Sequence, residues 1–126
     1  MPGKSIANAE LEVMRLLWRA SPLTLAQIRE TLLQTTKWNH STIKTLVFRL
    51  RGKGVIEPLD KYGPAQYVPL VSEAEYVRAE MPGFLGRVFE GSAKKLVAAL
   101  VDSGELSESD IDELKACFKV KGGGEK

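Results

Sequence analysis

Between Asn39 and Gly54 the chain has no acidic residue and no proline, and its apolar residues fall at i, i+3, i+4 and i+7. The stripe is Ile43, Leu46, Val47 and Leu50, the spacing of one buried helix face. Asn39 is a good N-cap, and Trp38 with Ile43 stands where a hydrophobic staple forms. Gly54 suits the residue just past a helix end. The segment predicts a helix running to about Lys53. At about 100° per residue, the side opposite the stripe holds Ser41, Thr45, Phe48 and Gly52, flanked by Lys44 and Arg49. A helix that only met water would usually carry Glu there. This one carries Lys44, Arg49, Arg51, Lys53 and His40. Hydroxyls and cations without carboxylates suit the DNA major groove, where phosphates repel carboxylates and Arg takes guanine bidentately. Phe48 is placed to touch a thymine methyl, and Gly52 to let the helix approach a sugar-phosphate strand. A merely solvated basic face is the bland alternative. The exposed N–H groups at the helix start, which favour phosphate, weigh against it.

The surroundings of this helix give it a context. Asn8 reads as an N-cap, followed by Leu11, Met14, Leu17 and Trp18 on one face, with Val13 and Leu16 widening it. This first helix ends near Ala20, before Ser21-Pro22. Residues 23–25 suit a short strand, and residues 26–34 a second helix burying Ile28, Leu32 and Leu33. After Gly54, residues 55–59 and 66–70 read as two extended runs around the turn Asp60-Lys61-Tyr62-Gly63-Pro64. Three helices and a hairpin are the layout of a winged helix-turn-helix. Lys61 and Tyr62, at the hairpin tip, would be the wing's contacts to the DNA backbone. Residues 1–70 hold ten Lys/Arg against five Asp/Glu, while residues 71–126 hold eight against eleven. The basic half is the one with the predicted interface.

The rest reads as helical. Ser72 with Glu75 is a capping-box pair. Val77, Met81, Phe84, Leu85 and Val88 keep helical phase across Pro82-Gly83, which predicts one helix kinked at Pro82. Residues 92–101 give a short helix with Leu96, Val97 and Leu100 inward. Ser107 and Asp110 cap a last helix that buries Ile111, Leu114 and Phe118. Three short helices rarely bury so much apolar surface alone, and a second copy would cover it. The expected fold is mainly α with a small β-wing. It comprises a winged helix-turn-helix DNA-binding domain over 5–70, a helical dimerisation domain over 71–120 and a flexible tail over 121–126.

Composition excludes other classes. With 44% hydrophobic and 27% charged residues, the chain is globular rather than disordered. Its longest apolar run, Leu96 to Val101, is far short of the roughly 20 residues of a membrane span. No apolar h-region follows Met1, so a cytoplasmic location without direct membrane association is expected. A single cysteine, Cys117, allows no internal disulfide and no multi-cysteine metal site. The only histidine, His40, adjoins Ser41 on a helix, and neighbouring helical side chains do not face each other. Glu10 and Glu12, like Asp110, Asp112 and Glu113, read as solvated carboxylates and cap partners. No glycine-rich phosphate loop is present. The expectation is no catalytic residue, no cofactor and no metal. A winged helix that engages a protein is the rival reading. A repressor answering a small molecule or a metal is another.

The residues also carry a resemblance. Ile6-Ala7-Asn8-Ala9-Glu10-Leu11-Glu12-Val13-Met14, with Leu17-Trp18, resembles the opening of the penicillinase-repressor (BlaI/MecI) family. Residues 38–54, with Trp38, Thr42, Thr45, Arg49-Leu50-Arg51 and Lys53-Gly54, are similar to that family's recognition-helix signature. Tyr67 and Leu70-Val71-Ser72-Glu73 also fit, and the likeness extends to about Val120. It implies a homodimeric bacterial repressor on a two-fold double-stranded DNA operator, silencing resistance or stress genes. His40, Ser41, Thr42, Lys44, Thr45, Phe48, Arg49 and Arg51 would then form the DNA-reading set. The C-terminal helices would dimerise. In such repressors a membrane-bound sensor metalloprotease signals antibiotic, and the chain is cut in its dimerisation region at an Asn-Phe step. The equivalent step here is Ala99-Leu100. Copper-responsive relatives carry cysteine pairs near the C-terminus, where this chain has Cys117 alone.

Overall fold

The computed structural model describes residues 6–60 and 62–120, in two compact units that divide between Ala79 and Glu80. Both the predicted tail, 121–126, and the wing-tip Lys61 lie outside the described residues.

In the first unit the chain runs α1 (Asn8–Ala20), β1 (Leu23–Thr24), α2 (Leu25–Thr35), α3 (His40–Lys53), β2 (Ile56–Pro58) and β3 (Gln66–Pro69). The helices bury the stripes that periodicity marks: Val13, Met14 and Leu17 on α1, Ile28 and Leu32 on α2, and Ile43, Leu46, Val47 and Leu50 on α3. Val55, Ile56, Tyr67 and Val71 close the same core from the hairpin side. Leu33 is only half-buried, at the core's margin. Three starts and stops differ from expectation. Asn8 is not the N-cap of α1 but its first helical residue. Ala7 caps it without a side-chain oxygen, and Glu10 accepts the Ala7 N–H at 2.9 Å. β1 ends at Thr24 because the Thr24 hydroxyl accepts from Gln27 N–H while the Gln27 side chain accepts from Thr24 N–H, a reciprocal capping box that starts α2. The hairpin strands are shorter than predicted, yet pairing continues past them, from Leu59 N–H to Gln66 O and Leu70 N–H to Val55 O.

The hairpin gains a third strand. β1 pairs antiparallel with β3, Leu23 opposite Tyr67, giving the order β1-β3-β2. Pairing on both sides removes β3's open edge and ties the wing to the α1–α2 connection. Trp18 Nε1 donates to Val71 O at 2.9 Å, and its ring lies 5.7 Å from that of Tyr76. These contacts hold the exit of the wing against α1.

α4 (Glu73–Phe89) begins at Ser72, whose hydroxyl accepts from Glu75 N–H while Glu75 accepts from Ser72 N–H. It is one helix with Pro82 inside. It ends where Glu90 (φ +54) and Gly91 (φ +81) turn left-handed and Gly91 N–H reaches back six residues to Leu85 O at 2.8 Å. In the second unit follow α5 (Ala93–Asp102), capped by Ser92, and α6 (Glu108–Val120), started by the Ser107–Asp110 box. Among the described residues no helix is long and apolar enough to cross a membrane.

Candidate nucleic-acid interface

α3 is fixed at both ends. Asn39 Oδ1 accepts from Thr42 N–H at 2.9 Å. At the other end Gly54, at φ +78, donates to Arg51 O at 3.0 Å. Only glycine takes that conformation without steric cost. With Ile43, Leu46, Val47 and Leu50 sealed into the core, the rotation of the helix about its axis is set. His40, Ser41, Lys44, Thr45, Phe48, Arg49, Arg51 and Gly52 are all exposed. Phe48 keeps 47% of its surface in solvent, and Lys44 Nζ lies 5.6 Å from its ring centroid. Thr42 is half-buried, its N–H taken by the cap. On the wing Tyr62 is 87% exposed.

Two members of the sequence reading move. Lys53 leaves the cationic face: its ammonium donates to Glu10 Oε1 at 2.5 Å. Glu10 is not a solvated carboxylate but a buried one, 2% exposed. Burial alone would raise its pKa. The Lys53 hydrogen bond, the Ala7 N–H and the charges of Lys53 and Arg49 outweigh that and hold it below the usual carboxylate range. A signal for this existed. Glu10 is in phase with Met14 and Leu17, and Lys53 with Leu46 and Leu50, so each charge sits on its helix's buried stripe and needs a partner.

Sequence reasoning also missed a groove of about 530 Å³ between α3 and the hairpin, lined by Arg51, Pro58, Leu59, Asp60, Gly63 and Ala65. It places the Arg51 side chain beside the wing, so the helix end and the hairpin present one continuous surface.

The residues expected at a dimer contact stand mostly open within one chain. Val77, Met81, Phe84, Val88, Val97, Leu114 and Phe118 are exposed, and Leu85, Leu96, Leu100 and Ile111 half-buried. The last helix therefore does not bury Leu114 and Phe118 by itself, because short amphipathic helices leave part of their apolar stripes uncovered. Val97, Leu106, Ile111, Leu114 and Phe118 line an apolar groove of about 430 Å³, with Lys115 and Lys119 beside it. Cys117 is exposed on the same helix. Ala99-Leu100 lies inside α5, where Leu100 O accepts from Glu105 N–H at 2.9 Å.

Residues 6–119 match the family model described as penicillinase repressor. The chain is 30% identical to the penicillinase repressor of Bacillus licheniformis over 86% of this chain and 85% of that one. It is 32% identical to the methicillin resistance regulatory protein MecI of Staphylococcus aureus strain N315, over 92% and 94% respectively. The solution structure of the DNA-binding domain of the repressor BlaI superposes with a TM-score of 0.51 at 32% identity, covering 60% of this chain and 89% of that one. The monomeric form of Bacillus licheniformis BlaI in complex with the blaP half-operator gives the same TM-score, over 58% and 89%.

Proposed function

The chain belongs to the penicillinase repressor family, and from that premise we propose that it is a transcriptional repressor gripping a two-fold DNA operator as a homodimer. α3 lies in the major groove with Lys44, Thr45, Phe48 and Arg49 toward the bases and His40, Ser41, Thr42 and Arg51 toward phosphates. The wing, with Lys61 and Tyr62, follows the backbone. The observation that carries this is the locked rotation of α3: its core stripe is buried and its exposed face holds cations and hydroxyls without a carboxylate. Such a face attracts a polyanion and lets guanidinium and ammonium groups reach base acceptors.

The exposed apolar stripes of α4, α5 and α6 meet those of a second copy, which joins two DNA-reading units. Derepression follows from parting that pair, through a sensor-linked signal such as cleavage at Ala99-Leu100 by a membrane-bound metalloprotease. The bond sits in a helix, so the last turn of α5 must unwind before a protease can take it as an extended strand. The repressor carries no catalytic group of its own in this scheme and acts in the cytoplasm, where the operator is.

The test is a selection from random duplexes with the full-length chain, followed by footprinting. Recovered sites should be two-fold related, with half-site centres about one or more helical turns apart. Recovery of single unpaired sites would contradict the dimer, and recovery of none would contradict the repressor.

A further inference from the structure

Phe48 is the odd residue on the outward face of α3. It is a large ring, 47% exposed, among hydroxyls and cations, and opposite the buried stripe. It has a companion one turn earlier. Lys44 Nζ stands 5.6 Å from the ring centroid, within the range of a cation–π contact. A free lysine on a helix is a point charge on a flexible four-carbon stem. A lysine laid over a ring has a direction.

We propose that Lys44 and Phe48 act as one reading unit, in which Phe48 contacts a thymine methyl and holds the Lys44 ammonium toward a guanine one or two base pairs away. This rests on the repressor reading above and adds the bases that the helix selects. The chemistry of each group fixes its target. The ring edge offers no hydrogen-bonding atom, and the apolar feature of the major-groove floor is the thymine C5-methyl. The ammonium has three donors and no acceptor, so it favours the edge with two adjacent acceptors, guanine N7 and O6. Residues four apart on a helix are about 6 Å apart along its axis, and base pairs are stacked about 3.4 Å apart, which gives the one-or-two-step offset. The face carries no carboxylate to accept from a cytosine amine, so the cytosine of that pair goes unread.

The test exchanges single atoms in the DNA. The full-length chain is titrated onto a duplex it has selected, with each thymine in turn replaced by deoxyuridine and each guanine by 7-deazaguanine. A single uracil at the contacted thymine should weaken the native protein about fourfold, the transfer value of one methyl group. The same uracil should leave Phe48→Ala unaffected. A 7-deazaguanine one or two pairs away should cost the native protein roughly tenfold and Lys44→Met nothing. That penalty should shrink in Phe48→Leu, which keeps an apolar side chain but no ring for the ammonium, while the uracil penalty remains. Circular dichroism checks that the variants keep native helix content, and the DNA substitutions read the native protein regardless. Indifference of the native protein to uracil at every thymine, or an equal penalty in Phe48→Ala, would overturn the proposal while leaving the repressor intact. Failure to select any duplex would remove both.

Discussion

The ammonium of Lys53, in the last turn of α3, donates to the carboxylate of Glu10, in the first turn of α1, at 2.5 Å. Glu10 is 2% exposed and also accepts from Ala7 N–H. One buried carboxylate thus finishes the cap of α1 and anchors the end of the DNA-reading helix. Removing Lys53 leaves the buried Glu10 carboxylate only the Ala7 N–H and the charge of Arg49 to offset its burial.

This pair predicts an acid-dependent stability. The Glu10 pKa is lowered in the folded chain despite its burial, so the folded state binds that proton more weakly than the unfolded one. The stabilisation is complete above the unfolded value of about 4.3 and fades as pH falls through the folded value. Lys53→Met should cost about 3 kcal/mol at neutral pH by urea unfolding. Glu10→Gln should cost about 1–2 kcal/mol, and the native advantage over it should shrink as pH falls below the unfolded carboxylate value and on through the lowered folded one. A difference that stays constant throughout the acid titration, down to acid unfolding, would contradict the pairing.

Arg49 is exposed on the face opposite the core stripe. Arg49→Ala should cost about 1–3 kcal/mol of binding to a selected duplex if the guanidinium reads a base, with relaxed preference at one position. An equal loss on all sequences would make it a phosphate contact. No loss on either DNA would mean that another face of α3 meets the groove.

Two nearby glycines should answer oppositely to alanine. Gly54 stands at φ +78 with no heavy atom within 4 Å of an added Cβ, so Gly54→Ala should destabilise by roughly 1–2 kcal/mol through conformation alone. Gly52 is helical and equally open, so Gly52→Ala should stabilise by up to about 1 kcal/mol. If α3 approaches a sugar-phosphate strand there, that more stable variant should bind DNA less well. Thermal melts and operator titrations on the same samples separate the two effects.

A fragment ending at residue 99 tests the link between copies. Its first unit keeps every buried core residue, from Ile6 to Val71, so helical content there should persist. The fragment lacks α6 and the end of α5. It should sediment as a monomer and lose about 10²–10⁴ in operator affinity as the effective concentration of the second reading unit disappears. A dimeric fragment with native affinity would remove the C-terminal helices from this role.

α3, α4 and α6 were legible because each carries its own punctuation: Asn39 and Gly54 around α3, the Ser72–Glu75 box before α4, the Ser107–Asp110 box before α6. The outward set on α3 followed from the same 3.6-residue period. Long-range relations were harder to read. The β1–β3 pairing of Leu23 with Tyr67 joins segments whose two-residue strand has no periodicity to find. The Glu10–Lys53 pair was readable in principle, from two charges each in phase with a buried stripe, but matching them required knowing that the start of α1 meets the end of α3. The α2 cap is present as Thr24-x-x-Gln27, but the apolar Leu23 and Leu25 on either side of Thr24 give that stretch the pattern of a strand.

The central claim is that the exposed face of α3 and the wing, doubled in a homodimer, neutralise DNA phosphates. It is tested most directly by titrating the full-length chain onto its selected duplex at increasing salt. Two helices and two wings should displace counterions from roughly 6–10 phosphates, so affinity should fall by about 10³–10⁵ between 50 and 200 mM salt. An affinity unchanged across that range would contradict the account and point to a protein as the partner of this winged helix.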